Sequence, residues 1–97
     1  MLVKNEYYEI VLKENNLVEV VKINSAKYNY YKNIFDDVYH TKNGKKYPLE
    51  KEKESGTHIL IVDDLHLYEV LMDLSEQGFC DKEGACLALV RMDYWIE

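Results

Sequence analysis

Three neighbouring side chains have the chemistry for metal binding or proton transfer: Asp63, Asp64 and His66. They lie where an apolar segment gives way to a helical pattern, and α/β proteins bind ligands beyond the carboxyl ends of strands. Two carboxylates could hold Mg²⁺, but such an ion usually takes a third protein oxygen or a phosphate, and the sequence offers neither. We favour the simpler interpretation of a helix N-cap beside a surface acid. The sequence therefore predicts no metal site and no cofactor.

Patterns for nucleophilic catalysis are also missing. The three histidines are scattered, and no nucleophile motif accompanies any of them. Cys80 and Cys86 lie so close together that a disulfide would close a very short loop, and their spacing matches no zinc motif. We expect two reduced thiols and a protein that is not an enzyme.

An acidic stripe is the strongest candidate for a binding surface. Its members are Glu69, Asp73, Glu76, Asp81 and Glu83. The first three recur at helical spacing, and residues 55–97 carry nine acids against one lysine and one arginine, net −7. One interpretation is a solvated helix face. The other is a docking face for a basic macromolecule, because uncompensated like charge costs stability.

Lysine and tyrosine alternate in the middle of the chain, as they do in surfaces that stack bases. The residues are Lys27, Tyr28, Tyr30, Tyr31, Lys32, Lys42, Lys45, Lys46 and Tyr47. The net charge of −6 opposes phosphate binding, and the runs Leu17–Ile23 and Ile59–Val62 lack the aromatics of an RNA-binding sheet. These observations disfavour nucleic acid as a partner.

Hydrophobic periodicity predicts the elements that position these side chains. The runs 7–13 and 17–23 form a hairpin around Glu14-Asn15-Asn16, and a helix capped by Asn24 or Ser25 extends to Asp36 or Asp37. Asn43-Gly44 predicts a two-residue hairpin turn. The predicted pairs of that hairpin are Lys42–Lys45, His40–Tyr47 and Val38–Leu49, with Pro48 placing its strand at a sheet edge.

The second half predicts a buried strand, a helix and a long strand. The strand covers 58–64, and Asp63 or Asp64 caps a helix that ends at Gly78. The helix has an apolar face of Leu67, Val70, Leu71 and Leu74, flanked by Tyr68 and Met72. Residues 85–96 alternate in polarity, so we expect a strand there. Its second face carries Leu87, Leu89 and Trp95, which predict a self-association surface and a possible homodimer.

Together these elements predict an α+β fold in one domain, residues 1–97. We expect a mainly antiparallel sheet of about five strands, with two helices on one face and the order ββα(β)βαβ. Without its first strand this order matches the ferredoxin-like pattern, although the Asn-Gly hairpin competes with that arrangement.

Composition limits the class of protein. Hydrophobic residues make up 47% and charged residues 31%, as in a folded globular domain. No apolar run approaches membrane-spanning length, and the first residues turn polar at once, so we expect a cytoplasmic protein without a membrane partner.

The leading functional hypothesis is a small acidic, non-catalytic interaction protein that binds a basic protein partner, with an inhibitor or immunity-type role. The alternative is a ferredoxin-like ligand-sensing or dimerisation module.

Overall fold

A computed structural model of the chain describes residues 6–52 and 56–91. Over these residues the protein is α+β, with one five-stranded antiparallel sheet and three helices. The strands are β1 (Tyr7–Leu12), β2 (Val18–Ile23), β3 (Asp37–His40), β4 (Lys46–Lys51) and β5 (His58–Asp63). The helices are α1 (Ser25–Ile34), α2 (Leu67–Glu76) and α3 (Lys82–Arg91). The fold class and the strand number agree with the prediction, and there is one helix more than the two expected.

The sheet has the order β2-β1-β5-β4-β3, and every neighbouring pair is antiparallel. Its central strand, β5, contains Leu60, Ile61 and Val62, each at most 1% exposed. A continuous apolar run suits a strand that is covered on both faces. The predicted buried strand is therefore confirmed.

Helices cover both faces of the sheet. Side chains alternate along β1, so that Ile10 points into the main core beneath α2 and α3. On the opposite face, the ring of Tyr7 stacks on Tyr28 of α1 at 4.3 Å between centroids, and Glu9 forms a 3.2 Å ion pair with Lys27. The expectation that both predicted helices share one face is therefore wrong for α1.

The N-terminal hairpin and the start of α1 form as predicted. Asn15 and Asn16 both take positive φ, near 60°, which allows the tight connection between β1 and β2. The side chain of Asn24 accepts a hydrogen bond from the backbone N–H of Lys27 at 2.7 Å and so caps α1. The helix ends at Ile34, two to three residues earlier than predicted.

The β3–β4 hairpin turns at the predicted place, but in a different register. Thr41 donates its N–H to the Lys45 carbonyl at 2.9 Å, which encloses a three-residue loop with Gly44 at φ 87°. The observed pairs are Asp37–Leu49, Val38–Pro48, Tyr39–Tyr47 and His40–Lys46. A shift of one residue reverses the faces of a strand, so Tyr39 points into the core.

The predicted edge position of Pro48 is wrong, because β4 lies between β3 and β5. The pairing of β4 with β5 covers only Leu49 to Lys51. It therefore begins directly after the proline, where the missing N–H does not interrupt it.

Helix α2 has the predicted apolar face but not the predicted cap. Its buried residues are Leu67, Val70, Leu71 and Leu74. The N-cap residue is His66, and Asp63 instead accepts the backbone N–H of His66 at 3.1 Å, which stabilises the turn before the helix. The helix ends as predicted, since Gly78 takes φ 87° and the N–H of Phe79 reaches the Leu74 carbonyl at 2.9 Å.

Replacement by alanine is expected to have opposite effects on stability at Gly78, which follows α2, and at Gly84, which lies in α3. Gly78→Ala is expected to lower the free energy of unfolding by about 1–2 kcal/mol, because a Cβ is strained at positive φ. Gly84→Ala is expected to raise it by about 0.5–1 kcal/mol, since Gly84 is inside α3 and its added Cβ would meet Val18 at an ordinary 3.8 Å. Urea denaturation measures both; equal shifts of the same sign would contradict this assignment.

The strand predicted over residues 85–96 is wrong where the structure describes it, because Lys82–Arg91 is helix α3. Residues Ala85, Ala88 and Leu89 are buried at spacings of three and four, which is the helical period. The final strand of the ferredoxin-like order is therefore not found in the described residues, and that resemblance is not confirmed.

The predicted self-association surface changes with this correction. On α3, Leu87 is 47% exposed whereas Leu89 is 0% exposed, so the two leucines do not share a surface. Leu89 belongs to the main core, against α2 and the sheet. Trp95 lies outside the described residues. In the described ranges, no helix is both long and apolar enough to cross a membrane.

Candidate functional site: the cleft between α2 and the β3–β4 hairpin

A cleft of about 310 Å³ separates α2 from the tip of the β3–β4 hairpin. We call this surface the hairpin cleft. Its lining residues are Thr41, Lys42, Asn43, Tyr68, Glu69, Met72, Asp73 and Glu76. The cleft thus brings together the first three residues of the predicted acidic stripe, Glu69, Asp73 and Glu76, with a loop that the sequence analysis assigned to another surface.

Asp73 fixes the hairpin to the helix. Its carboxylate accepts hydrogen bonds from the Tyr39 hydroxyl at 2.5 Å, the Lys42 backbone N–H at 3.1 Å and the Gln77 amide at 2.7 Å. Gln77 also donates to the Tyr39 hydroxyl at 2.8 Å and to the carbonyl of His40. A carboxylate with this many internal partners has a structural role, because it holds the hairpin against α2.

The pKa values of Asp73 and Tyr39 both reflect this network. Partial burial acts to raise the pKa of Asp73, but the hydrogen bonds from Tyr39, the Lys42 backbone and Gln77 together outweigh it, so the pKa is lowered. Burial and the neighbouring Asp73 carboxylate raise the pKa of the Tyr39 hydroxyl. Tyr39 therefore remains a neutral donor to a charged acceptor, which is a strong hydrogen bond.

Lysines of the hairpin neutralise the other two carboxylates of the cleft. Lys45 lies 3.1 Å from Glu69, and Lys42 lies 3.2 Å from Glu76. All four side chains are 42–61% exposed. The prediction that this acid is uncompensated is therefore wrong for Glu69 and Glu76. Exposed pairs of this kind contribute only about 0–1 kcal/mol each, so they are easily exchanged.

An apolar strip lies beside the carboxylates. Tyr68 and Met72, one helical turn apart on α2, both line the cleft, and Tyr68 is 44% exposed. Leu65, two residues before the start of α2, is 74% exposed. The sequence pattern placed Tyr68 and Met72 at the border of the buried face, and only their spacing relative to the acids could have indicated a shared surface.

The remaining two residues of the predicted stripe belong to a different element. Asp81 precedes α3 and Glu83 lies in its first turn, where the backbone N–H of Ala85 bonds to the Asp81 carbonyl at 3.0 Å. Negative charge is favourable at a helix N-terminus. Their position in α3 thus has a local structural explanation, and neither residue lines the hairpin cleft.

Asp63 and His66 form the turn that precedes α2. Asp63 lies 2.6 Å from Nδ1 of His66, whose ring packs 6.0 Å from that of Tyr47. In residues 6–52 and 56–91, no group of three His, Cys, Asp or Glu side chains could hold a metal ion. Cys80 and Cys86 are free thiols, and burial raises the pKa of Cys80.

The lysine and tyrosine residues of the middle of the chain are divided between α1 and the β3–β4 hairpin. Tyr31 stacks on Phe35 with ring centroids 4.9 Å apart and carries the ammonium of Lys27 over its face. Lys42 and Lys45 lie at the hairpin cleft, paired with acids of α2. Lys27, Lys42 and Lys45 are thus each engaged with acids within the protein.

Comparison with known proteins gives no functional assignment: no family model, curated protein or solved structure matches the chain.

Proposed function

We propose that this chain is a small non-catalytic interaction protein, and that it binds a basic protein partner through the hairpin cleft. The observation that carries the proposal is the half-exposed ring of Tyr68 in a cleft that is also lined by Met72 and by the carboxylates of Glu69 and Glu76. Protein interfaces concentrate their binding energy in such central aromatic anchors, with charged residues at the rim.

Both rim carboxylates are suited to exchange their partners. Lys42 and Lys45 hold Glu76 and Glu69 through exposed ion pairs, which contribute little to stability. An arginine of a partner protein would replace a single lysine contact with two parallel hydrogen bonds to the same carboxylate. In the free protein the two lysines pair with these carboxylates, and a partner's arginines replace them on binding.

The net charge of the chain favours a basic partner, although Lys42 and Lys45 compensate Glu76 and Glu69 locally. Residues 63–83 contain seven acids and one lysine, and the whole chain carries −6. Charge of this size accelerates the encounter with an oppositely charged protein, and the acceleration decreases with salt. Fast association with a basic protein is what an inhibitor of a basic enzyme requires, and the same holds for an immunity-type protein that binds a basic toxin.

Charge reversal at the rim tests this proposal. The immobilised wild type and a Glu69→Lys/Glu76→Lys variant are compared for proteins retained from lysate, and a basic protein retained only by the wild type is then purified. Calorimetry is expected to give an affinity reduced about 100-fold or more in the variant, since truncating or reversing hot-spot charges costs 2–5 kcal/mol.

A control variant separates specific docking from overall charge. Glu19→Lys/Asp36→Lys makes the same change in net charge at exposed positions on β2 and the α1–β3 loop, away from the cleft. It should retain the partner with an affinity within a few-fold of the wild type. An equal loss of affinity for the partner in both variants would mean that net charge alone attracts it. That result would contradict a binding site in the hairpin cleft.

A further inference from the structure

A second cavity, of about 260 Å³, lies on the core face of the sheet where α2 and α3 do not cover it. Three side chains form a row across its floor, because Leu12 pairs with His58 and His58 pairs with Lys51 in the β1–β5–β4 register. Side chains directly opposite one another in an antiparallel sheet point to the same face. The row therefore consists of the apolar side chain of Leu12, the imidazole of His58 and the ammonium group of Lys51.

The interior of this cavity is apolar. Leu49 and Leu60 continue the floor next to Leu12. Phe79, half exposed in the connection between α2 and α3, forms the wall and meets Tyr39 edge-on at 5.9 Å between ring centroids. Small-molecule sites combine such an apolar lining with a few polar groups that orient the ligand.

Lys51 and His58 lie next to each other at one end of the cavity, whose lining also includes the polar side chains of His40 and Gln77. Lys51 forms an exposed 3.4 Å ion pair with Asp37, which also accepts the backbone N–H of Val38 at 3.0 Å. Asp37 would therefore keep a hydrogen bond if Lys51 turned to another anion. His58 lies beside Lys51, and its Nδ1 is 3.1 Å from the Gly56 carbonyl, so that Nδ1 carries the proton there and Nε2 is the second polar atom.

We propose that this cavity binds a small monocarboxylate with an apolar body. The carboxylate accepts a hydrogen bond from the ammonium of Lys51 and, when the ring of His58 carries a second proton, another from its Nε2–H. The apolar body lies on the leucine floor against Phe79. The volume is at the small end of ligand pockets, so the ligand is a short aliphatic or single-ring acid rather than a long-chain lipid. This site is separate from the hairpin cleft and does not depend on the proposed protein partner.

Octanoate is the probe for this site. A titration of the ¹⁵N-labelled protein followed by ¹H–¹⁵N correlation spectra should give saturable shifts at the amides of His58, Lys51 and Phe79, with a Kd on the order of 1 mM or tighter. Acetate has the head group without the body, and octylamine has the body with the opposite charge. Neither should saturate these amides in the same range.

Two exposed substitutions locate the contacts. Lys51→Gln and Phe79→Ala are each expected to weaken octanoate binding about tenfold, whereas Lys32→Gln on α1, across the sheet, should leave it unchanged. Saturation by octylamine at the same Kd, or an unaltered Kd in Lys51→Gln, would overturn the carboxylate site. Absence of saturable shifts with octanoate in the folded wild type would overturn the cavity as a ligand site altogether.

Discussion

Leu89→Ala is expected to lower the free energy of unfolding by about 2–5 kcal/mol, the largest effect of any single change proposed for this protein. The side chain is fully buried where α3 packs against α2 and the sheet, so truncation leaves a cavity in the main core. Urea denaturation followed by circular dichroism measures the loss. In a domain of this size it is a large part of the total stability.

The matched control is Leu87→Ala, two residues earlier in the same helix. Leu87 is 47% exposed, so its truncation should change stability by less than about 0.5 kcal/mol. A strand with both leucines on one face would instead give similar losses. Similar values for the two variants would therefore contradict α3, and sedimentation of the folded Leu87→Ala protein shows whether this leucine supports self-association.

Asp73→Ala is expected to cost about 2–3 kcal/mol, the second largest effect, although Asp73 has the appearance of a surface acid in the sequence. The change removes three hydrogen bonds and leaves the buried Tyr39 hydroxyl without its acceptor. The control is Glu76→Ala, one turn further along α2, which loses only an exposed ion pair and should stay within about 0.5 kcal/mol of the wild type.

The pH dependence of stability gives a second measure of the same network. The pKa of Asp73 is lower in the folded protein than the usual 3.8 of an aspartic acid, so the folded state holds this proton less tightly than the unfolded state. The stabilisation by the ionised Asp73 carboxylate is complete above the pKa that this group has in the unfolded state. It is lost as the pH falls through the lower pKa of the folded state. The stability difference between wild type and Asp73→Asn should therefore shrink below about pH 4. A difference that is constant from pH 6 to pH 2.5 would contradict a charged acceptor.

Local patterns were sufficient for most of the fold. The β1–β2 hairpin, the Asn24 cap, strand β5 and the Gly78 end of α2 each depend on neighbouring residues, and each is confirmed. Their signals are short apolar runs and residues that tolerate positive φ, which act within a few positions of the chain. The class of the fold and its antiparallel sheet followed from these elements.

The failures share a dependence on distant contacts. The alternation of small apolar residues over 85–91 fits a strand, but Ala85, Ala88 and Leu89 also fit a helix, and packing against α2 decides between them. The β3–β4 register was wrong by one residue because an Asn-Gly pair suits two loop lengths. The choice between those lengths turns Tyr39 inward toward Asp73, 34 positions away.

The candidate site was predictable only in part. Glu69, Asp73 and Glu76 do share a helix face, but their roles differ in ways that the helix alone does not determine. The hairpin provides Tyr39 to Asp73 and a lysine to each glutamate. Sequence spacing reports which residues of one element are neighbours, and it carries no information about the element packed against them.

Photo-crosslinking at position 68 is the most direct test of the hairpin cleft as a binding surface. A benzophenone side chain replaces Tyr68 in one variant and Tyr30 in another, since both tyrosines are exposed but Tyr30 lies on α1, on the other face of the sheet. The account predicts that a basic protein crosslinks at position 68 and not at position 30, and that 0.5 M salt reduces the yield. Equal crosslinking at both positions, or crosslinking at position 30 alone, would contradict it.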